Sequence, residues 1–220
     1  MGYTTTFTGS VRIDPPLNSA EQSYLRQFAK SRRQTYGGGP YVVDRSDVQS
    51  SNWPAAGQPG LWCQWVSTDD GAALEWDGTE KFYRSSGWME YLIGTFLAPG
   101  ATLQKELRKR VQGRTYPDEF EQFTFNHVLN GVIEARGQDG ARWHIEVVDN
   151  VVGVREIEGK HPTEYVVFVM NRHERHDLDR EFDDRFDPRF HGGTGRSIQL
   201  VGGVMTDPAT VSVCAVRSRT

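Results

Sequence analysis

Period-two alternation is the feature that most narrows what this chain can become. Residues 3–13 place Tyr3, Thr5, Phe7, Gly9, Val11 and Ile13 on one side and Thr4, Thr6, Thr8, Ser10 and Arg12 on the other. Successive side chains of a strand point to opposite faces, so β-branched and aromatic residues at this period predict a half-buried strand. The pattern returns later. Leu129, Gly131, Ile133 and Ala135 alternate with Asn130, Val132, Glu134 and Arg136, and Asp139-Gly140 turns the chain. Trp143, Ile145 and Val147 then alternate with His144 and Glu146, which predicts a hairpin. Val151 to Ile157 predicts a further short strand.

Helical spacing lies between these runs. Asn18 or Ser19 caps a predicted helix to about Arg33, with Glu21 or Gln22 closing a capping box and Tyr24, Leu25 and Phe28 as its apolar stripe. Lys30, Arg32 and Arg33 then suit the negative end of its dipole. Ser85 or Ser86 caps a second helix, in which Met89, Leu92, Ile93, Phe96 and Leu97 recur on one face. A third helix is predicted over 102–112, with Leu103, Leu107 and Val111 in line. Between the first two helices, Leu61 to Val66 reads as a strand, Asp69-Asp70-Gly71 as a turn and Ala73 to Trp76 as the return strand. The fold class is therefore α+β: a mostly antiparallel sheet with two to three helices packed on one face. Composition shifts near residue 158. We expect a core domain over 1–158 and a β-containing C-terminal extension over 159–220 packed on it, with strands at Tyr165 to Met170, Ile198 to Val204 and Val211 to Val216.

Composition limits the function classes. The chain has 220 residues and 25 aromatic side chains, ample surface to bury. Its longest apolar run, Tyr165 to Met170, is far short of the roughly 20 residues of a membrane helix. With 25 basic and 29 acidic side chains the net charge is −4, which disfavours a generally basic nucleic-acid binder. The N-terminus shows no signal-peptide pattern, and the two cysteines, Cys63 and Cys214, sit in apolar alternating runs. Reduced, buried thiols and a cytoplasmic location are expected.

Several segments carry a resemblance. These are Tyr3-Thr4-Thr5 with Phe7 and Gly9, Arg32-Arg33, the run Gly57-Gln58-Pro59-Gly60-Leu61-Trp62-Cys63-Gln64-Trp65, Glu75-Trp76-Asp77-Gly78 with Glu80-Lys81-Phe82-Tyr83, and Tyr91-Leu92-Ile93. With Leu129-Asn130-Gly131 and Asp149-Asn150, they resemble a family of small proteins found in phages, prophages and bacterial genomes, actinobacteria among them. The resemblance covers about residues 1–155, and the 57–83 block is its most specific part. It implies a phage-linked context and brings no catalytic residue with it.

The residues themselves offer four constellations. In the aromatic block, Trp62, Gln64 and Val66 are expected on one strand face and Leu61, Cys63 and Trp65 on the other. An uncovered face would display indoles near Gln64, Glu80 and Lys81; the alternative is a two-sided core covered by 159–220. The basic stretch Lys105, Arg108, Lys109, Arg110 and Arg114 could meet phosphates, but Asp118, Glu119 and Glu121 follow it and a solvated face is the plainer reading. His173 and His176, with Asp177 or His191, have the spacing of a metal pair. Five arginines and seven acidic residues between 172 and 189 instead point to an ion-paired surface. Gly192-Gly193-Thr194-Gly195-Arg196 lacks the helix that a phosphate loop opens. Cys63 has no neighbouring base to activate it.

No complete catalytic set emerges, and neither a cofactor nor a metal site is assigned. The leading expectation is a non-enzymatic, cytoplasmic protein-interaction module of phage or prophage origin. Trp62, Gln64, Trp76, Glu80, Lys81 and Arg32 are its binding residues and another protein is its partner. The second is an enzyme or small-ligand binder with a pocket between the aromatic hairpin and 159–220, using Arg32, Glu80, Lys81 or His173. Nucleic-acid binding through 105–114 ranks below both.

Overall fold

The computed structural model describes residues 3–43 and 53–158. The extension 159–220, with His173, His176, Asp177, His191, the glycine loop at 192 and Cys214, lies outside the described residues, as does the expected pocket against it.

The alternating runs become a sheet of six strands, all antiparallel: β1 (Thr5–Asp14), β2 (Trp65–Ser67), β3 (Ala73–Trp76), β4 (Val128–Gly137), β5 (Arg142–Val148) and β6 (Val151–Glu158). Their order is β2-β3-β1-β4-β5-β6. With α1 (Ser19–Lys30), α2 (Ser85–Leu92) and the short α3 (Thr102–Arg108), this is the α+β architecture read from the sequence. β1 pairs with β4 from Thr5↔Gly137 to Asp14↔Val128. Thr5, Phe7, Val11 and Ile13 face the core, and Thr6, Thr8, Ser10 and Arg12 face water. Two glycines bring this pair together. Gly9 holds φ at +105°, and a Cβ on Gly131 would stand 2.6 Å from the Ser10 carbonyl oxygen. α2 touches both β2 and β6, the two ends of the strand order, so the sheet curls around it.

The core between sheet and helices is aromatic. Trp65, Trp88, Trp143, Tyr24, Phe28, Phe82, Phe96 and Phe120 are all nearly inaccessible, each such burial worth roughly 2–3 kcal/mol. Tyr24 meets the edges of Phe96, Phe120 and Phe123 at 5.4, 4.6 and 5.7 Å.

Three helix boundaries differ from the expectation, each for a local reason. α1 stops at Lys30 rather than Arg33, because Ser31 turns extended and the Arg33 N–H donates to the Leu61 carbonyl at 2.8 Å instead. Neither Ser85 nor Ser86 caps α2. Both lie in its first turn behind Arg84, which is left-handed at φ 52°, while the Ser85 carbonyl accepts the Trp65 indole N–H at 2.7 Å. α3 ends at Arg108, and the chain folds back so that Arg114 pairs with Glu106 and the Tyr116 hydroxyl donates to the same carboxylate at 3.1 Å. After α2 the backbone widens into a π turn over Ile93–Leu97, closed by the Ala98 N–H on the Ile93 carbonyl at 3.0 Å.

The Asn18–Glu21 capping box forms as read, and Glu21 goes further. Fully buried, its carboxylate accepts from Asn18 N at 2.8 Å, Thr124 N at 2.7 Å, Thr124 Oγ1 at 2.9 Å and His127 Nε2 at 3.1 Å. His127 Nδ1 donates to the Pro15 carbonyl at 2.6 Å. With Nδ1 donating to a carbonyl, Nε2 faces the Glu21 carboxylate at 3.1 Å and Thr124 Oγ1 at 3.0 Å, and the carboxylate favours a second proton on the ring. The pair clamps the β1–α1 junction to the entry of β4. Burial raises the Glu21 carboxyl, but the bonds from His127, Thr124 and Asn18 bring it below an ordinary glutamate. Burial lowers the His127 imidazole, and Glu21 with the Pro15 carbonyl more than reverses it, leaving it above an ordinary histidine.

A depressed carboxyl loses its stabilising effect as pH falls through its folded value; a raised imidazole loses its effect as pH rises through its own. Both contributions are complete between the ordinary values of 4.5 and 6.5. Urea unfolding of the wild type should show stability declining on either side of that window. Glu21→Gln should cost about 3 kcal/mol inside it, because an unpaired buried charge remains, and should flatten the decline on the acid side.

Candidate functional site

The candidate surface is built on the β2–β3 hairpin and the two segments entering and leaving it. Its turn is held by Asp70, which accepts from Thr68 Oγ1 at 2.6 Å and from Ala72 N at 3.0 Å. These two bonds hold the Asp70 carboxyl below an ordinary aspartate. Register pairs Trp65 with Trp76, Val66 with Glu75 and Ser67 with Leu74.

The expected strand over 61–66 is shorter than read, since ladder pairing begins only at Trp65. The two-sided division of that run also changes. Trp65 and Cys63 are buried as one face, but Gln64 is buried as well, at 5% exposure, while Trp62 stands 44% exposed. The reason is Gln64's side-chain amide. Its Oε1 accepts the Trp76 indole N–H at 3.1 Å and its Nε2 donates to the Glu80 carbonyl at 3.3 Å. The Asp77 N–H reaches the Gln64 backbone carbonyl at 3.0 Å. Gln64 thus bonds the 77–80 loop to the hairpin, and Trp76 lies half-buried with its ring against the edge of Phe7 at 5.6 Å. Trp65 is inside, its indole against Phe7 and Phe82 at 5.4 and 4.9 Å.

Glu80 and Lys81 are exposed, with Lys81 left-handed at φ 63°. Arg32 is half-buried and lays its guanidinium over the Trp62 ring at 5.7 Å. Of the six residues read as a binding set, the structure stacks Arg32 on Trp62, places Glu80 and Lys81 on an exposed loop, and uses Gln64 and Trp76 to hold that loop in place.

Two neighbours escaped the sequence reading. Trp53 is 66% exposed, and its signal was an indole inside a Ser-, Asp-, Pro- and Gly-rich loop. Arg33 is the other. Its backbone N–H donates to Leu61 and its carbonyl accepts from Ala55 N at 2.9 Å, so the segments carrying Trp53 and Trp62 are both fastened to it. Nothing in the pair Arg32-Arg33 distinguishes the surface arginine from the buried one.

The thiol of Cys63 is fully enclosed, and burial pushes it up to about 12, so it is not a nucleophile. In the basic stretch, Lys105, Arg108, Lys109 and Arg110 are exposed, Arg110 lies over the Tyr116 ring at 5.3 Å, and Arg114 is paired with Glu106. No group of three His, Cys, Asp or Glu among the described residues could hold a metal ion. No helix among them is long and apolar enough to cross a membrane. No protein-family model, no curated protein and no solved structure matches the chain.

This division of roles is measurable. Gln64→Ala leaves the Trp76 indole N–H with the Thr79 carbonyl alone and removes the bond to the Glu80 carbonyl, and urea unfolding should show a loss of about 1–2 kcal/mol. Trp62→Ala removes a largely solvated ring and should cost about 1 kcal/mol or less.

Proposed function

We propose that the chain is a protein-interaction module, acting in a phage- or prophage-linked cytoplasmic setting, whose recognition surface centres on Trp62 and Arg32. The observation that carries this reading is the exposure of Trp62 beside a stacked Arg32, with the exposed Trp53 on a segment that is also bonded to Arg33. Trp and Arg, with Tyr, are the residues that dominate protein–protein hot spots, because one side chain supplies both large apolar area and directed polar contact. An arginine already parked on an indole loses little freedom when a partner covers it. Glu80 and Lys81 form the charged part of this surface. A single-stranded nucleic acid would also stack on indoles, but such sites track the backbone along a positively charged groove. The loop bonded to Gln64 carries Asp77 and Glu80 as well as Lys81.

The immobilised chain should retain a specific protein from lysate of its host. In a direct titration that protein should bind Trp62→Ala and Arg32→Ala at least roughly tenfold more weakly than wild type, a difference of about 1.4 kcal/mol. Both variants should unfold as cooperatively as wild type. Equal affinity for wild type and Trp62→Ala, or retention of no protein, overturns the reading.

A further inference from the structure

The sequence offers the basic stretch two sets of neutralising acids, Glu106 within it and Asp118, Glu119 and Glu121 after it. The fold directs both elsewhere. The Glu106 carboxylate is taken up by Arg114, by the Tyr116 hydroxyl at 3.1 Å and by the Tyr41 hydroxyl. The turn Asp118–Gln122, which carries the later acids, packs on α1, where Asn18 Nδ2 donates to the Gln122 carbonyl at 2.8 Å. Among the described residues, Lys105, Arg108, Lys109 and Arg110 meet no carboxylate.

α3 fixes where these cations stand. Leu103 is buried and Leu107 packs half-buried against the core, so that side of the helix is occupied. The Lys109 N–H closes the last turn on the Lys105 carbonyl at 3.2 Å. Lys105, Arg108 and Lys109 therefore share one face at i, i+3 and i+4, with Cβ atoms about 5–6 Å apart. All three are exposed, and so is Arg110. Arg110 is already ordered, since its guanidinium lies over the Tyr116 ring at 5.3 Å. Tyr116 is itself held, its hydroxyl donating to Glu106 and accepting the Val111 N–H at 3.0 Å. An ordered cation loses less freedom when a ligand arrives. Four cations within six residues thus make one positive patch on a chain whose net charge is −4.

The composition of the patch selects its ligand. Lysine is depleted at protein–protein contacts, whereas lysine and arginine together make the contacts to nucleic-acid phosphates. A bilayer holds a helix by an apolar face beside the charge, and α3 has turned its leucines to the core. Single strands are held by open rings on which bases stack, and Tyr116 lies under Arg110. We propose that Lys105, Arg108, Lys109 and Arg110 bind the phosphate backbone of a nucleic-acid duplex without reading its sequence. This patch shares no residue with the surface at Trp62 and Arg32.

The test is fluorescence anisotropy of the full chain with labelled duplexes of about 30 base pairs, one of DNA and one of RNA, over a range of sodium chloride. Kd should be about 10⁻⁶–10⁻⁴ M at physiological salt and should differ by less than about twofold between unrelated sequences. For DNA, log K should fall against log salt with a slope of about −3 to −4, as for three or four neutralised phosphates. The tighter of the two duplexes names the source of the backbone. Lys105→Gln combined with Lys109→Gln should weaken binding about tenfold and make the slope shallower by about two. Both side chains are exposed, so this variant should unfold as wild type does. Arg12→Gln, which removes a cation from the water face of β1, should leave binding within about twofold of wild type. No duplex binding at low salt, or an unchanged slope in the double variant, overturns the proposal. So does an equal loss in Arg12→Gln, or tighter binding to polyglutamate or to phosphatidylserine vesicles than to either duplex.

Discussion

A guanidinium withdrawn from water must recover its lost solvation, and Arg33 does so with a ring face and two carbonyls rather than a carboxylate. That choice organises the whole end of the molecule. Because the side chain turns inward over Phe28, the backbone of Arg33 lies open to the chain that returns from 54 to 62, and bonds it at Ala55 and Leu61. Leu61 held there leaves Trp62 to turn outward. Ala55 held there ties the segment that carries Trp53 to the same residue. Arg32 then falls beside Trp62 and stacks on it. The candidate surface is a consequence of one buried cation as much as of the indoles it displays.

The extent to which this could be read from sequence follows from the range of each determining interaction. β1, β4 and β5 were legible because one face is buried at every position but the glycines Gly9 and Gly131, so the period-two signal is strong. The capping box at Asn18 was legible because its donors and acceptors lie within three residues of each other. The end of α1 was not, since it is decided by Leu61, far along the chain. The same holds for the buried Gln64. A glutamine between a cysteine and a tryptophan reads as the polar face of a strand, and only the later arrival of Trp76 and Glu80 makes it an interior connector. His127 had no local pattern at all, because its partners Glu21 and Pro15 come from the first strand–helix junction.

The hairpin shows how a polar interior fits an aromatic protein. Trp65 and Trp76 are register partners with opposite surroundings. Trp65 passes its indole N–H to the first turn of α2 and packs between Phe7 and Phe82. Trp76 shares its N–H between Gln64 and the Thr79 carbonyl at 3.1 and 3.2 Å, so its polar edge belongs to the loop and its face to Phe7. Each indole buries apolar area while its single donor meets an acceptor, the condition under which tryptophan stabilises rather than strains an interior. Trp88 departs from it, with the same burial and no acceptor.

That contrast separates the roles of three tryptophans more sharply than exposure alone. Trp65 and Trp76 each have their indole N–H met by an acceptor within the protein. Trp62 needs no acceptor from the protein because solvent is available, and the cation beside it favours a ring face over water only modestly at an exposed site, by roughly 0.5–1 kcal/mol. A partner that excludes water from this stack would strengthen it, since the attraction between guanidinium and ring rises as both are desolvated. Recognition at Trp62 and Arg32, as proposed, would therefore draw on an interaction already formed in the free chain, and would ask of the partner shape and dryness more than a matching charge.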